Sequence, residues 1–244
     1  MKTVWGVYIV ILIYYLLGTI GIYFINRKKE SQIKRKAWIK LLFAFIFTNT
    51  VFFSIIFNAV FFSILVVLVI VVGFFELFKL YRESGYNHYK FFLSALLIMA
   101  VSSVGFYFFS RMDKGLILFS FLILSIFDGY GQITGQLFGR TKLFPKVSPN
   151  KTVEGLIGGS IIAVLSALVF RNVIQVSQLN AILMAIVVVI FAFAGDAAKS
   201  IYKRKYNAKD FSNLIPGHGG ILDRFDSFIA AGAGVAMLGM FMNL

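Results

Sequence analysis

Uninterrupted apolar runs, each about as long as a bilayer is thick, recur along the whole chain and set what it can become. The first occupies residues 4–25 behind a single Lys2. A helix crossing the hydrocarbon core needs about 20 such residues. A secretory signal would have a shorter apolar core and a small-residue cleavage site. Neither is present, so this run is read as a retained span. The stretch 41–80 is too long for one span, and Asn58 near its middle divides it into two helices joined by a tight turn. Further runs at 91–110, 115–138, 155–170, 179–200 and 223–244 bring the expected spans to eight.

Composition supports the same class. Hydrophobic residues make up 59% of the chain and charged residues 14%, against roughly 45–50% and about 25% in soluble domains. In water such a chain would expose large apolar patches and aggregate, and its apolar content excludes disorder. The absence of Cys excludes a disulfide framework, a thiol nucleophile and a Cys-ligated metal. The fold class expected is an all-α integral membrane protein with about eight transmembrane helices, and residues 1–244 form a single polytopic domain.

The net charge of +14 would suggest nucleic acid in a soluble protein. In a membrane protein, Lys and Arg collect in cytoplasmic loops instead, so no nucleic-acid partner is expected. Placing the basic loop 26–40 inside puts 20 of the 24 Lys and Arg on the cytoplasmic side; Lys2, Arg111, Lys114 and Arg171 remain outside. Both termini are then non-cytoplasmic. The two halves also differ. Residues 1–122 read as hydrophobic scaffold, whereas residues 123–244 hold 14 of the 21 Gly and all 3 Pro and read as a catalytic half facing the cytoplasm.

Intramembrane acids are costly in lipid and mark function. Asp128 lies about ten residues from the inside end of its helix, hence roughly 15 Å deep. Asp196 lies about a turn from its inside end. Asp223 and Asp226 open the last helix at i,i+3 and share a face. Four acids on one side, near basic loops, suggest Mg²⁺ and a polyphosphate. The plainer alternative is that Asp128 pairs with a buried base and Asp223 caps its helix. Gln132 and Gln136 share the polar face of Asp128.

The segment 214–226, Leu-Ile-Pro-Gly-His-Gly-Gly-Ile-Leu-Asp-Arg-Phe-Asp, sets an irregular loop before a helix start. Gly219 and Gly220 would let backbone N–H groups approach a ligand at a helix N-terminus that favours anions. His218 either hydrogen-bonds a phosphate or holds the loop shape. The loop 138–155 combines bases, hydroxyls and glycines, as phosphate cradles and ordinary cytoplasmic loops both do. Glu154 either orients Lys151 or serves as a first-turn acid, and Glu76 reads as an ion-pair partner of Lys79.

The run Ser200-x-x-Lys203-Arg204-x4-Lys209-Asp210, followed by Ile215-Pro216-x-His218-Gly219-Gly220-Ile221-x-Asp223-Arg224-Phe225-Asp226, resembles the signature of the CDP-diacylglycerol synthase (phosphatidate cytidylyltransferase) family. Gly195-Asp196 upstream matches too, as does Phe138-Gly139 with Ser148-Pro149-x-Lys151-Thr152-x-Glu154-Gly155. The resemblance covers roughly residues 128–230. It implies transfer of a cytidylyl group from CTP to phosphatidate, giving CDP-diacylglycerol and pyrophosphate, with Mg²⁺ as cofactor and a second cation as an open alternative. It implies metal or polyphosphate roles for Asp196, Asp223 and Asp226, and phosphate-binding roles for Lys151, Lys203, Arg204, Lys209 and Arg224. With Lys151 the three acids form the expected catalytic set. Asp128, Gln132, Gln136, Ser148, Thr152, His218, Gly219 and Gly220 complete the expected substrate-binding set.

The chain departs from the family pattern at Gln132, Gln136, Lys199 and Tyr202, which marks a side branch. An isoprenoid-type lipid phosphate is therefore the alternative acceptor, and an anionic-solute transporter is the alternative class. A transporter should show related halves and a site near the midplane, and neither is visible in the sequence. The expected setting is a bacterial inner (cytoplasmic) membrane with the site facing the cytoplasm. Membrane lipids and, as an open expectation, a second copy of the chain are further partners.

Overall fold

A computed structural model describes residues 2–27, 30–215 and 219–242. Among them are eight helices: α1 (Lys2–Asn26), α2 (Ser31–Phe57), α3 (Ala59–Glu83), α4 (Tyr89–Phe109), α5 (Lys114–Phe138), α6 (Val153–Ile174), α7 (Gln178–Lys205) and α8 (Ile221–Met242). The first seven are long and apolar enough to cross a membrane. The eighth opens on Ile-Leu-Asp-Arg-Phe-Asp, so its first turns are charged. Large apolar side chains cover the outside, Leu97 at 66%, Val101 at 66% and Val169 at 74% exposure among them, as lipid-facing surfaces require.

Asn58 divides the long apolar stretch as its position predicts. It ends α2 in an extended conformation, and its side chain caps α3 by accepting from the Val60 N–H at 3.0 Å. Helix α2 begins at Ser31, well before the apolar run, so much of the basic segment expected as a loop is helical. Its Lys, Arg and Gln residues are good helix formers and extend the span outward. The segment between α5 and α6 is likewise more ordered than expected. It carries an antiparallel hairpin, β1 (Lys142–Phe144) with β2 (Ser148–Thr152), a small addition to an otherwise helical fold.

Glycines let α5 and α6 meet backbone to backbone. A Cβ on Gly159 would lie 2.7 Å from the Phe127 carbonyl oxygen and 2.9 Å from Gly131 Cα, and one on Gly155 would lie 2.7 Å from the Gly131 carbonyl oxygen. Membrane helices gain little from excluding lipid, so contact of this kind supplies the packing energy. The spacings Gly131-x3-Gly135 and Gly155-x3-Gly159 put these glycines on facing stripes.

Helix α8 is fixed by aromatic packing. Phe228 meets the rings of Phe106 at 5.3 Å, Phe121 at 5.7 Å, Phe109 at 5.9 Å and Phe62 at 6.2 Å, which ties it to α3, α4 and α5. Tyr202 joins α7 to α3: its buried hydroxyl donates to the Leu77 carbonyl at 2.8 Å. The tyrosine at this departure position thus has a packing role.

Candidate active site

Antiparallel connection brings the C-terminal ends of α5 and α7, the β1–β2 hairpin and the N-terminal ends of α6 and α8 to one face of the bundle. Two cavities open there. The smaller, about 220 Å³, is polar. Its wall carries Asp196, Asp223 and Asp226, the cations Lys203, Arg204, Lys209 and Arg224, and Ser148. The larger, about 760 Å³, reaches from the hairpin down to Asp128 and is lined by Gln132, Gln136, Lys151, Thr152 and Phe193, with Ser148 and Asp196 common to both. Residues from Asp128 to Asp226, expected to form one site, are therefore together.

Lys151 stands at the shared wall. Its ammonium pairs with the Asp196 carboxylate and lies 5.8 Å from the Phe193 ring centre. Burial lowers its pKa from the usual lysine value, while the charges of Asp226 and Asp128 pull it back up. The hydroxyl of Ser200, one turn beyond Asp196, donates to it at 3.4 Å. Helical i,i+4 spacing makes that contact.

Asp223 is bonded on both oxygens. One accepts from Lys203 Nζ at 2.6 Å; the other accepts from the backbone N–H of Phe211 at 2.8 Å and of Gly220 at 2.9 Å. It therefore caps α8 and ties down the preceding loop. Asp226 accepts from the Ser227 N–H at 2.7 Å and has no ion-pair partner among the described residues.

Several residues do something other than the sequence suggests. The Gly219 N–H donates to the Ile215 carbonyl at 3.1 Å, and the Gly220 N–H is held by Asp223. Neither N–H is therefore available to cradle a ligand. Gly219 has φ +82°, and a Cβ on Gly220 would lie 2.3 Å from Glu76 Oε1, so glycine is required for conformation and close approach. Thr152 uses its hydroxyl to cap α6, accepting from the Gly155 N–H at 3.1 Å. Arg204 donates to the carbonyls of Val147 at 2.9 Å and Ala208 at 3.0 Å, which clamps the hairpin to α7. Glu154 takes the second of its two expected roles, an acid in the first turn of α6, and there it accepts from the Thr141 N–H at 3.1 Å, which fastens the same hairpin. His218 lies outside the described residues.

Glu76 is the largest departure. It is fully buried and does not pair with Lys79, whose ammonium lies 3.8 Å from Glu83. Its carboxylate accepts from the N–H groups of Leu222 at 2.7 Å and Ile221 at 3.1 Å and from the Ser212 hydroxyl at 2.5 Å. An acid on α3 thus closes the N-terminus of α8, satisfying donors that a helix leaves unpaired.

The donor set suits a hard divalent cation in kind, because carboxylate oxygens are what Mg²⁺ takes. Among the described residues, however, no three acids or histidines gather closely enough to form a cation site alone. Asp196 and Asp226 share the polar cavity wall and accept fewer bonds from the protein than Asp223, which accepts three.

A profile of the cytidylyltransferase family matches residues 1–242. The chain belongs to that family. Its relatives include proteins named phosphatidate cytidylyltransferase. One from Staphylococcus epidermidis is 40% identical over 156 residues. One from Staphylococcus haemolyticus is 40% identical over 157 residues, and one from Staphylococcus aureus 36% over 156. Each match covers 61% of this chain and 60% of the relative.

Proposed function

We propose that this chain transfers a cytidylyl group from CTP to phosphatidate. A phosphate-monoester oxygen of the lipid attacks the α-phosphorus of CTP. The new P–O bond forms as the bond to the β-phosphate bridging oxygen breaks, and pyrophosphate leaves with that electron pair. The observation that carries this reading is the pair of cavities joined at Asp196 and Ser148. One is lined by fixed cations fit for a triphosphate, and the other is long and mixed in polarity, fit for the second substrate.

In this reading Lys203, Lys209 and Arg224 bind the triphosphate and balance the charge that grows on the leaving oxygens. Lys151, at the junction, orients the α-phosphate where the two substrates meet. Gln132 and Gln136 line the acceptor's side. Mg²⁺ would be held by Asp196 and Asp226 with substrate oxygens and water, and it would neutralise charge on the polyphosphate. Asp223 contributes through the loop and Lys203, and would join the ion only by releasing that lysine. The distribution of Lys and Arg supports a site facing the cytoplasm, both termini outside, in a bacterial inner membrane.

The test is turnover with purified protein, labelled CTP, Mg²⁺ and a panel of lipid phosphates that includes phosphatidate and isoprenoid phosphates. Labelled CDP-diacylglycerol is expected. A labelled isoprenoid product in its place would move the acceptor, and no labelled lipid at all would overturn the reading.

A further inference from the structure

On α7, Gly195, Lys199 and Lys203 recur at intervals of four residues and share one stripe. Both ends of that stripe rest on α8. A Cβ on Gly195 would lie 2.4 Å from Ala230 Cβ and 2.9 Å from the Asp226 carbonyl oxygen, and Lys203 Nζ bonds Asp223 at 2.6 Å. The two helices therefore run antiparallel, and Lys199 stands opposite the stretch of α8 between these contacts, where Asp226 lies. The stem of Lys199 lines an apolar cavity between α3, α4, α7 and α8. Its ammonium is shut off from solvent, so it is turned away from that cavity and into the protein. Among the described residues it has neither a hydrogen-bond nor an ion-pair partner. The charges that act on it are those of Asp226, Asp223, Lys203 and Glu76.

Two of these acids are already answered. Asp223 holds Lys203, and Glu76 holds the Ile221 and Leu222 N–H groups and the Ser212 hydroxyl. Asp196, on the same polar wall as Asp226, pairs with Lys151. Asp226 accepts only from the Ser227 N–H. The acid without a counterion and the cation without a partner are thus neighbours across the α7–α8 contact. In a dry interior little water screens such charges, and they act on each other beyond contact distance.

We propose that Lys199 is the internal countercharge of Asp226, balancing that carboxylate from behind while the nucleotide is absent and lowering the affinity of the site for a free divalent cation. Asp196, Asp223 and Asp226 then each have a lysine, and a free cation meets acids that are already balanced. The triphosphate supplies the further negative charge, so the ion enters with it. Lys199 touches no substrate; it is a positioning residue that acts through Asp226. The inference rests on the metal role proposed above for Asp226.

Two measurements on the full-length chain in detergent test it, and neither uses turnover or a lipid acceptor. The first is thermal unfolding in EDTA. Asp226→Asn should lower the melting temperature, and the drop should be at least halved when Lys199 is replaced by Met, because the charge that Asp226 balances is then gone. The second is Mn²⁺ binding without nucleotide, read from the electron paramagnetic resonance signal of the free ion. Lys199→Met should lower the Mn²⁺ midpoint at least five-fold, and adding Asp226→Asn should reverse that gain. Lys199→Gln, polar but uncharged, should repeat both results. No drop on Asp226→Asn, or equal drops with and without Lys199, would overturn the pairing independently of any metal. A Mn²⁺ midpoint unchanged or raised in Lys199→Met and Lys199→Gln, or no Mn²⁺ bound by any of the proteins, would overturn the control of cation entry.

Discussion

Glu76 on α3 and Leu222 on α8, 146 positions apart in sequence, are joined by a 2.7 Å hydrogen bond from the backbone N–H of Leu222 to the carboxylate. The same carboxylate holds Ile221 and Ser212. A scaffold helix therefore sets where α8 begins, and with it the positions of Asp223 and Asp226. Glu76→Ala would leave several buried donors unpaired, at about 1–3 kcal/mol each. The expected outcome is a fall of roughly 5–10 °C in apparent melting temperature, with most activity lost. Glu76→Gln, which keeps an acceptor oxygen, should fall less. Thermal shift of detergent-solubilised protein and turnover measure both; equal stability of wild type and Glu76→Ala would contradict the cap.

Gln132 and Gln136 lie one turn apart on α5 and line the larger cavity. Replacing them together with Tyr and Arg should change relative turnover among lipid phosphates several-fold while the KM for CTP moves less than two-fold. An unchanged acceptor profile would place them outside the acceptor's path.

The apolar runs made the helices legible, and Asn58 made the α2–α3 break legible, because span length and capping chemistry act locally. The acids and bases of the back half were legible as one site because the alternation of spans puts the C-terminal ends of α5 and α7 and the N-terminal ends of α6 and α8 on one face of the bundle. The roles of Glu76, Gly220 and Thr152 were not. Glu76 bonds α8 from far along the chain, and its i+3 spacing to Lys79 pointed to a local ion pair instead. Gly220 reads as a ligand-approaching glycine until the Glu76 carboxylate is seen against it. Thr152 reads as a phosphate ligand, but its position just before α6 makes it a helix cap. Lys199 is visible in sequence only as a departure from a pattern; its isolation depends on which face of α7 meets α8.

The topology assigned from basic residues is open to direct measurement. A reporter fused after Leu244 should read as non-cytoplasmic, and one inserted near Lys142, in the exposed hairpin, as cytoplasmic. The reverse pattern would turn the site away from cytoplasmic CTP.

The central claim is that Asp196, common to the two cavities, and Asp226, in the polar one, serve metal-assisted cytidylyl transfer to a lipid phosphate. The most direct measurement is turnover with CTP and phosphatidate against Mg²⁺ concentration, for wild type, Asp196→Asn and Asp226→Asn. Asparagine keeps the size and one acceptor oxygen of aspartate but removes the charge. Wild type should form CDP-diacylglycerol. Each variant should remain folded, lose about 100-fold or more in rate, the scale of about 2.7 kcal/mol of lost transition-state stabilisation, and recover part of it as Mg²⁺ is raised. Wild-type rates in both variants with an unchanged Mg²⁺ midpoint would contradict the account.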